Sequence, residues 1–119
     1  MPRSNNHLRP EQLARLFTQL ARLETSGIPV VQALQALAQS EAKLKKPILL
    51  MQKYLQSGQS ISIAGFKAGI FNETLTTLIH AAEQSGQLAT IYAQLADHYT
   101  TLAKMLASAK SNHGFICPF

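Results

Sequence analysis

Three observations predict an all-α fold. Apolar residues recur at three- and four-residue spacing along most of the chain, the periodic segments are punctuated by glycine, and no stretch alternates like a strand. The expected architecture is an antiparallel bundle of about six helices with a long C-terminal helical hairpin. At 119 residues the chain has the length of one domain. We expect a disordered lead-in over 1–9, a helical domain over 10–110 and an irregular tail over 111–119.

Pro10 suits a first helical turn and Glu11 its positive end. Leu13, Leu16, Phe17, Leu20 and Leu23 then fall on one face, and Gly27 ends this first helix. Pro29 restarts the chain as a second helix with Ile28, Val31, Leu34 and Leu37 on one side and Ala33, Ala36 and Ala38 keeping much of the rest small. Ser40 can cap a third helix carrying Leu44, Ile48, Met51 and Leu55, in which Pro47 marks either a kink or the true start. Gly58 closes it. Ser60 opens a short fourth helix through Ile61 and Ala64 that ends near Gly65 or Gly69. Asn72 caps a fifth, with Leu75, Leu78, Ile79 and Ala82 as its stripe and Gly86 as its stop. The sixth and longest begins near Gln87, with Leu88, Leu95 and Leu102 spaced by seven in the manner of a bundle seam.

Composition narrows the function classes. Charged residues make up 14% of the chain against a usual quarter, so some apolar surface is expected to seek a partner. The net charge of +5 suits an anionic neighbour, either nucleic acid or an acidic membrane face. Lys43, Lys45, Lys46 and Lys53 form the densest basic group, but without arginines or aromatic residues between them they read as a solvated helix face. A single cysteine, Cys117, excludes an internal disulfide, and its position in the tail is not that of a catalytic thiol. No apolar run reaches the length of a membrane span, so no transmembrane segment is expected in this chain, and no signal-peptide segment follows the N-terminus.

Reactive constellations are few. His80 and Glu83 on the fifth helix and Asp97 and His98 on the sixth are the one ligand-like group, but a di-iron carboxylate bundle needs further carboxylates and two Glu-x-x-His motifs. Glu83 is thus a weak metal candidate and no cofactor is assigned. No nucleophile elbow or phosphate-cradling loop occurs, so the chain is not expected to be an enzyme or to take a small-molecule substrate. A small basic helix-turn-helix DNA-binding regulator is the alternative from another class. Its second helix would offer Gln32, Gln35 and Gln39 to base edges with no Arg or Lys for phosphates, and nucleic acid is not the expected partner.

Three segments in order resemble a known family. LARLFTQLARLETSGIPVVQALQALA (13–38) is similar to the opening helix, Gly-Ile-Pro turn and alanine-rich second helix of the cytoplasmic domain of the type II secretion F-protein and type IV pilus platform-protein family. LQSGQSISIA (55–64) resembles its Gly-x-Ser-Leu-Ser-x-Ala turn, and FNETLTTLIHAAEQSGQLATIYAQLADHY (71–99) its Phe-Pro start, Ala-Gly-Glu-x-Ser-Gly-x-Leu centre and Leu-Ala-x-Tyr-Tyr end. The sequence departs from that pattern at Gly65, Asn72, Ala82 and His98, which stand where leucine, proline, glycine and tyrosine are usual. Family members also carry two such domains and several membrane spans.

The resemblance implies a non-catalytic scaffold at the cytoplasmic face of the bacterial inner membrane, where it holds a platform for pilus or pseudopilus assembly beside a hexameric ATPase. It gives Gly27, Pro29, Gly58, Glu83, Ser85 and Gly86 structural roles. Leu88, Tyr92, Leu95 and Tyr99 are the expected partner-facing residues. The expected partners are a second copy of the chain, the assembly ATPase and neighbouring platform proteins.

Overall fold

The computed structural model describes residues 8–111, and among these the only regular structure is helical. The helices are α1 (Pro10–Thr25), α2 (Val30–Ser40), α3 (Lys45–Gln56), α4 (Ile61–Lys67), α5 (Glu73–Ser85) and α6 (Leu88–Ser111), with a 3-10 turn over Ala42–Leu44 before α3. The all-α class and the six helices are as the periodicity predicts. Most of the expected lead-in (1–9) and tail (111–119), with Cys117, lies outside the described residues. Leu8 packs against the core and Arg9 is the N-cap of α1.

Four helices end in the same way. Gly27, Gly58, Gly69 and Gly86 all have positive φ, which an L side chain disfavours. At Gly27 the following N–H, of Ile28, reaches back to the Leu23 carbonyl at 3.0 Å, and the glycine's own N–H reaches Glu24 at 3.1 Å. That pair of bonds is a Schellman cap, and Ile28 and Leu23 both pack on the core beside it. Pro29 precedes α2 as its N-cap rather than lying in its first turn. The ambiguity at Pro47 resolves in favour of a late start: the 3-10 turn takes up the chain after α2, and Pro47 sits third in α3, where a missing N–H costs no intrahelical bond. Ser40 accordingly caps nothing and closes α2 instead.

The buried set contains Leu16, Phe17 and Leu20 from α1, Leu34 and Leu37 from α2, and Ile48 and Met51 from α3. Ile70, Phe71, Leu75 and Ile79 from the α4–α5 region and Tyr92 and Leu95 from α6 complete it. Helix pairing is uneven. α6 follows α5 through the Gly86 turn, but its most extensive partner is α1, while α5 packs mainly on α4 and α2 on α3. α1 and α6 run antiparallel: residues 11–15 face 100–107 across a groove, and Phe17 meets Tyr92 and Tyr99. The reason is length and apolarity, since α1 carries the strongest apolar stripe and α6 is the one helix long enough to cover all of it.

Candidate functional site

The stretch from Phe71 to Tyr99 brings two short helices and one long one to a common point. Asn72 starts α5: its Oδ1 accepts the Leu75 N–H at 2.8 Å, so the side chain replaces an acceptor the helix lacks at its first turn. Leu75, Ile79 and Ala82 then turn inward. Glu83, four residues after Ile79, borders that stripe and faces the start of α4.

Its carboxylate accepts two backbone N–H groups there, Ile61 at 2.8 Å through Oε2 and Ser62 at 3.2 Å through Oε1. The next N–H, of Ile63, is accepted by the Ser60 hydroxyl at 3.3 Å, and that of Ala64 by the Ser60 carbonyl at 2.8 Å. The N–H groups of Ile61, Ser62 and Ile63, open in the first turn of α4, are therefore satisfied, two of them by a residue 21 or 22 positions away in sequence. The negative charge also lies at the positive end of the helix dipole. Ser62 is fully buried, with its hydroxyl 3.2 Å from that of Ser60. The geometry makes a structural clamp between α5 and α4. Ser85 bonds the Ala81 carbonyl at 3.0 Å, and Gly86 follows in the left-handed conformation while Gln87 N–H returns to the Ala82 carbonyl at 2.9 Å.

Beside the clamp lies an aromatic cluster centred on Phe17 of α1. Phe71, Tyr92 and Tyr99 stand around it with ring centroids at 6.0, 6.1 and 6.0 Å. The first and last residues of the 71–99 segment thus meet through a residue outside it. Burial raises the phenol of Tyr92 well above its usual range, and the Glu24 and Glu83 carboxylates push it the same way. Its hydroxyl is buried with no hydrogen-bond partner. Tyr99, less enclosed, is raised by burial alone.

The packing places the four expected partner-facing residues against α1. Tyr92 and Leu95 are inside the core, and Leu88 and Tyr99 are half-buried against it, because α1 already occupies that side of α6. The exposed apolar residues of α6 are instead Met105 and Leu106, at 62% and 52% exposure. They lie at or beside an open groove of about 490 Å³ between α1 and α6, with Ala14, Ala103 and Ala107 in its walls. Among the described residues no three His, Cys, Asp or Glu side chains stand close enough to hold a metal ion. Glu83 is engaged by α4, while His80, Asp97 and His98 are exposed, the last edge-on to Tyr99 at 4.8 Å. On α2, the Gln35 side chain that could have met a base edge accepts instead from Gln52 of α3 at 3.1 Å.

Sequence reasoning missed Phe17 as a hub and the bond from Glu83 to α4. Both depend on contacts between distant segments, and the two serines opening α4 were the one local hint. Two departures from the family pattern also find a reason here. Asn72 supplies the cap, and Gly65 makes room for Phe71: a Cβ on Gly65 would stand 2.8 Å from the ring Cγ and closer still to its edge.

A family model, the type II secretion system (T2SS) protein F, matches residues 16–112, from the middle of α1 to the end of α6. The chain belongs to the type II secretion system protein F family. It is similar to the type II secretion system protein F of Vibrio cholerae, with 29% identity over 96 residues. That match covers 78% of this chain and 24% of the relative, so the chain corresponds to about a quarter of that protein's length. The F-family match takes in the clamp, the aromatic cluster and all four glycine caps. Among the described residues no helix is long and apolar enough to cross a membrane.

Proposed function

We propose that this chain is a non-catalytic scaffold domain of an inner-membrane platform in a type II secretion or type IV pilus machine, where it contacts the assembly ATPase and neighbouring platform proteins. The observation that carries this reading is the F-family match over residues 16–112, which coincides with the helical fold. Family membership ties the chain to secretion and protein transport, and the F family is associated with the inner membrane. In keeping with a scaffold, the carboxylate of the most specific motif is spent on holding α4 against α5. The cytoplasmic face of the membrane is the proposed location, since that is where an assembly ATPase works.

A second copy of the chain is the proposed occupant of the α1–α6 groove. Leu106 is largely exposed in its wall with exposed Met105 next to it in sequence, and alanines on both helices would let another helix approach closely. Light scattering is expected to give a dimer that Leu106→Asp converts to a monomer with unchanged helicity. The platform reading is tested by retention of the cognate secretion ATPase and inner-membrane platform proteins on the immobilised chain. Failure to retain any of them above a helical control protein would refute it.

A further inference from the structure

The positive charge of this protein is segregated. From Ala42 to Asn72 there are five lysines and no aspartate or glutamate, while the other six basic residues are balanced by the six acidic ones, so this segment carries the whole net charge of +5. Lys45, Lys46, Leu49, Leu50 and Lys53 are all exposed. At 100° per residue they fall within a 140° arc of α3, so they form one stripe of lysines with two leucines set among them.

Nothing on the adjoining elements neutralises it. α3 packs on α2, which has no charged residue, on the 3-10 turn, which adds Lys43, and on α4, which adds Lys67 with its ammonium 5.7 Å from the Tyr54 ring centroid. The acid preceding the segment, Glu41, bonds Arg15 of α1 at 3.1 Å. Glu73, which follows it, belongs to α5. Among the described residues the five lysines make no ion pair with a carboxylate. The two leucines are 36% and 40% exposed, so the stripe presents adjoining apolar surface among its charges.

We infer that this face of α3 docks on an anionic lipid surface. The position of the leucines favours lipid. A basic amphipathic stripe lying in the plane of a membrane buries its apolar side chains at the acyl boundary, while lysine stems extend sideways to bring their ammonium groups to headgroup phosphates. Lysine suits a fluid, diffuse negative surface, whereas the fixed bidentate recognition typical of nucleic-acid and protein partners favours arginine, which the stripe lacks. Duplex DNA would also gain nothing from exposed leucines between its phosphate contacts. The inference rests on the proposed placement beside an inner membrane and adds which face meets the bilayer.

Sedimentation of the full chain with vesicles tests it. Vesicles of equal parts phosphatidylcholine and phosphatidylglycerol should bind the chain in a salt-sensitive way, and phosphatidylcholine alone should not. At about five-fold per lysine, Lys45→Gln, Lys46→Gln and Lys53→Gln together should weaken binding on the order of 100-fold. Leu49→Ser with Leu50→Ser should weaken it further at raised salt, whereas Arg22→Gln on α1 should leave it unchanged. Thermal melts of each variant confirm the fold. Equal binding by the triple variant, indifference to phosphatidylglycerol, or retention of duplex DNA but not vesicles would overturn the inference. The vesicle assay contains no protein partner, so its failure is distinguishable from failure of ATPase retention.

Discussion

Removing the Glu83 carboxylate should destabilise the domain through α4. In Glu83→Ala the N–H groups of Ile61 and Ser62 both lose their acceptor. An orphaned donor costs about 1–3 kcal/mol, toward the upper end where water is excluded. Ser62 is fully buried, whereas Ile61 is half-buried and partly restored by solvent. Loss of the favourable charge at the helix N-terminus adds about 0.3–1 kcal/mol. The total expected loss is about 2–4 kcal/mol, which for a domain of this size lowers Tm on the order of 10–20 °C. Glu83→Gln keeps one acceptor oxygen but loses the charge, and should show roughly half the effect. The assay is denaturant and thermal unfolding at one fixed protein concentration, since self-association would add to apparent stability. Hydrogen exchange at the Ile61 and Ser62 amides reports on the clamp itself. His80→Ala, an exposed change on the same helix, should stay within about 0.5 kcal/mol of the parent. A Glu83→Ala variant as stable as that control, with both amides still protected, would refute the clamp.

Two further outcomes follow from the same packing. Gly65→Ala should destabilise by up to about 2 kcal/mol in urea unfolding: intrusion on the Phe71 ring costs about 1–3 kcal/mol, against the roughly 1 kcal/mol that alanine adds to a helix. Tyr92→Phe should be neutral or stabilising by up to about 1 kcal/mol at pH 7, because the lost hydroxyl has no partner. The same variant should resist alkali better. The folded chain holds the Tyr92 proton above the unfolded value of 10.0, so stability from this group is full below pH 10 and falls as pH rises beyond it, a loss that alkaline unfolding should show diminished in the variant.

Helix identities were legible in the sequence because their signals are local. Asn72 caps the helix it was read as capping, and Gly27, Gly58 and Gly86 end theirs, since a cap needs only neighbours three or four residues away. Pairing was less legible. A turn such as Ser85-Gly86 shows that two helices are consecutive, but not how far they stay together, and here α6 leaves α5 to lie along α1. That packing puts Tyr92 and Leu95 in the core and leaves Met105 and Leu106 exposed. The charge was legible only in part: the lysines were visible, but that the stripe has no acid beside it depends on α2 and α4 being the helices packed on α3.

Two of the four departures from the family pattern, Gly65 and Asn72, are connected. With a leucine at position 65, the Phe71 ring could not stand where it does, since even a bare Cβ intrudes on it. That ring stacks on Phe17 at 6.0 Å, and Phe17 in turn meets Tyr92 and Tyr99. Gly65 therefore helps set the depth at which α4 and the start of α5 approach the α1–α6 pair, and Asn72, next to Phe71, caps α5 at that position. Glu83 closes the same loop from the other side by fixing α4 to the end of α5. Two short helices, α4 of 7 residues and α5 of 13, would be marginal alone. The clamp holds them at one point and the aromatic stack at another, which fixes α4 and α5 to each other and to the α1–α6 pair.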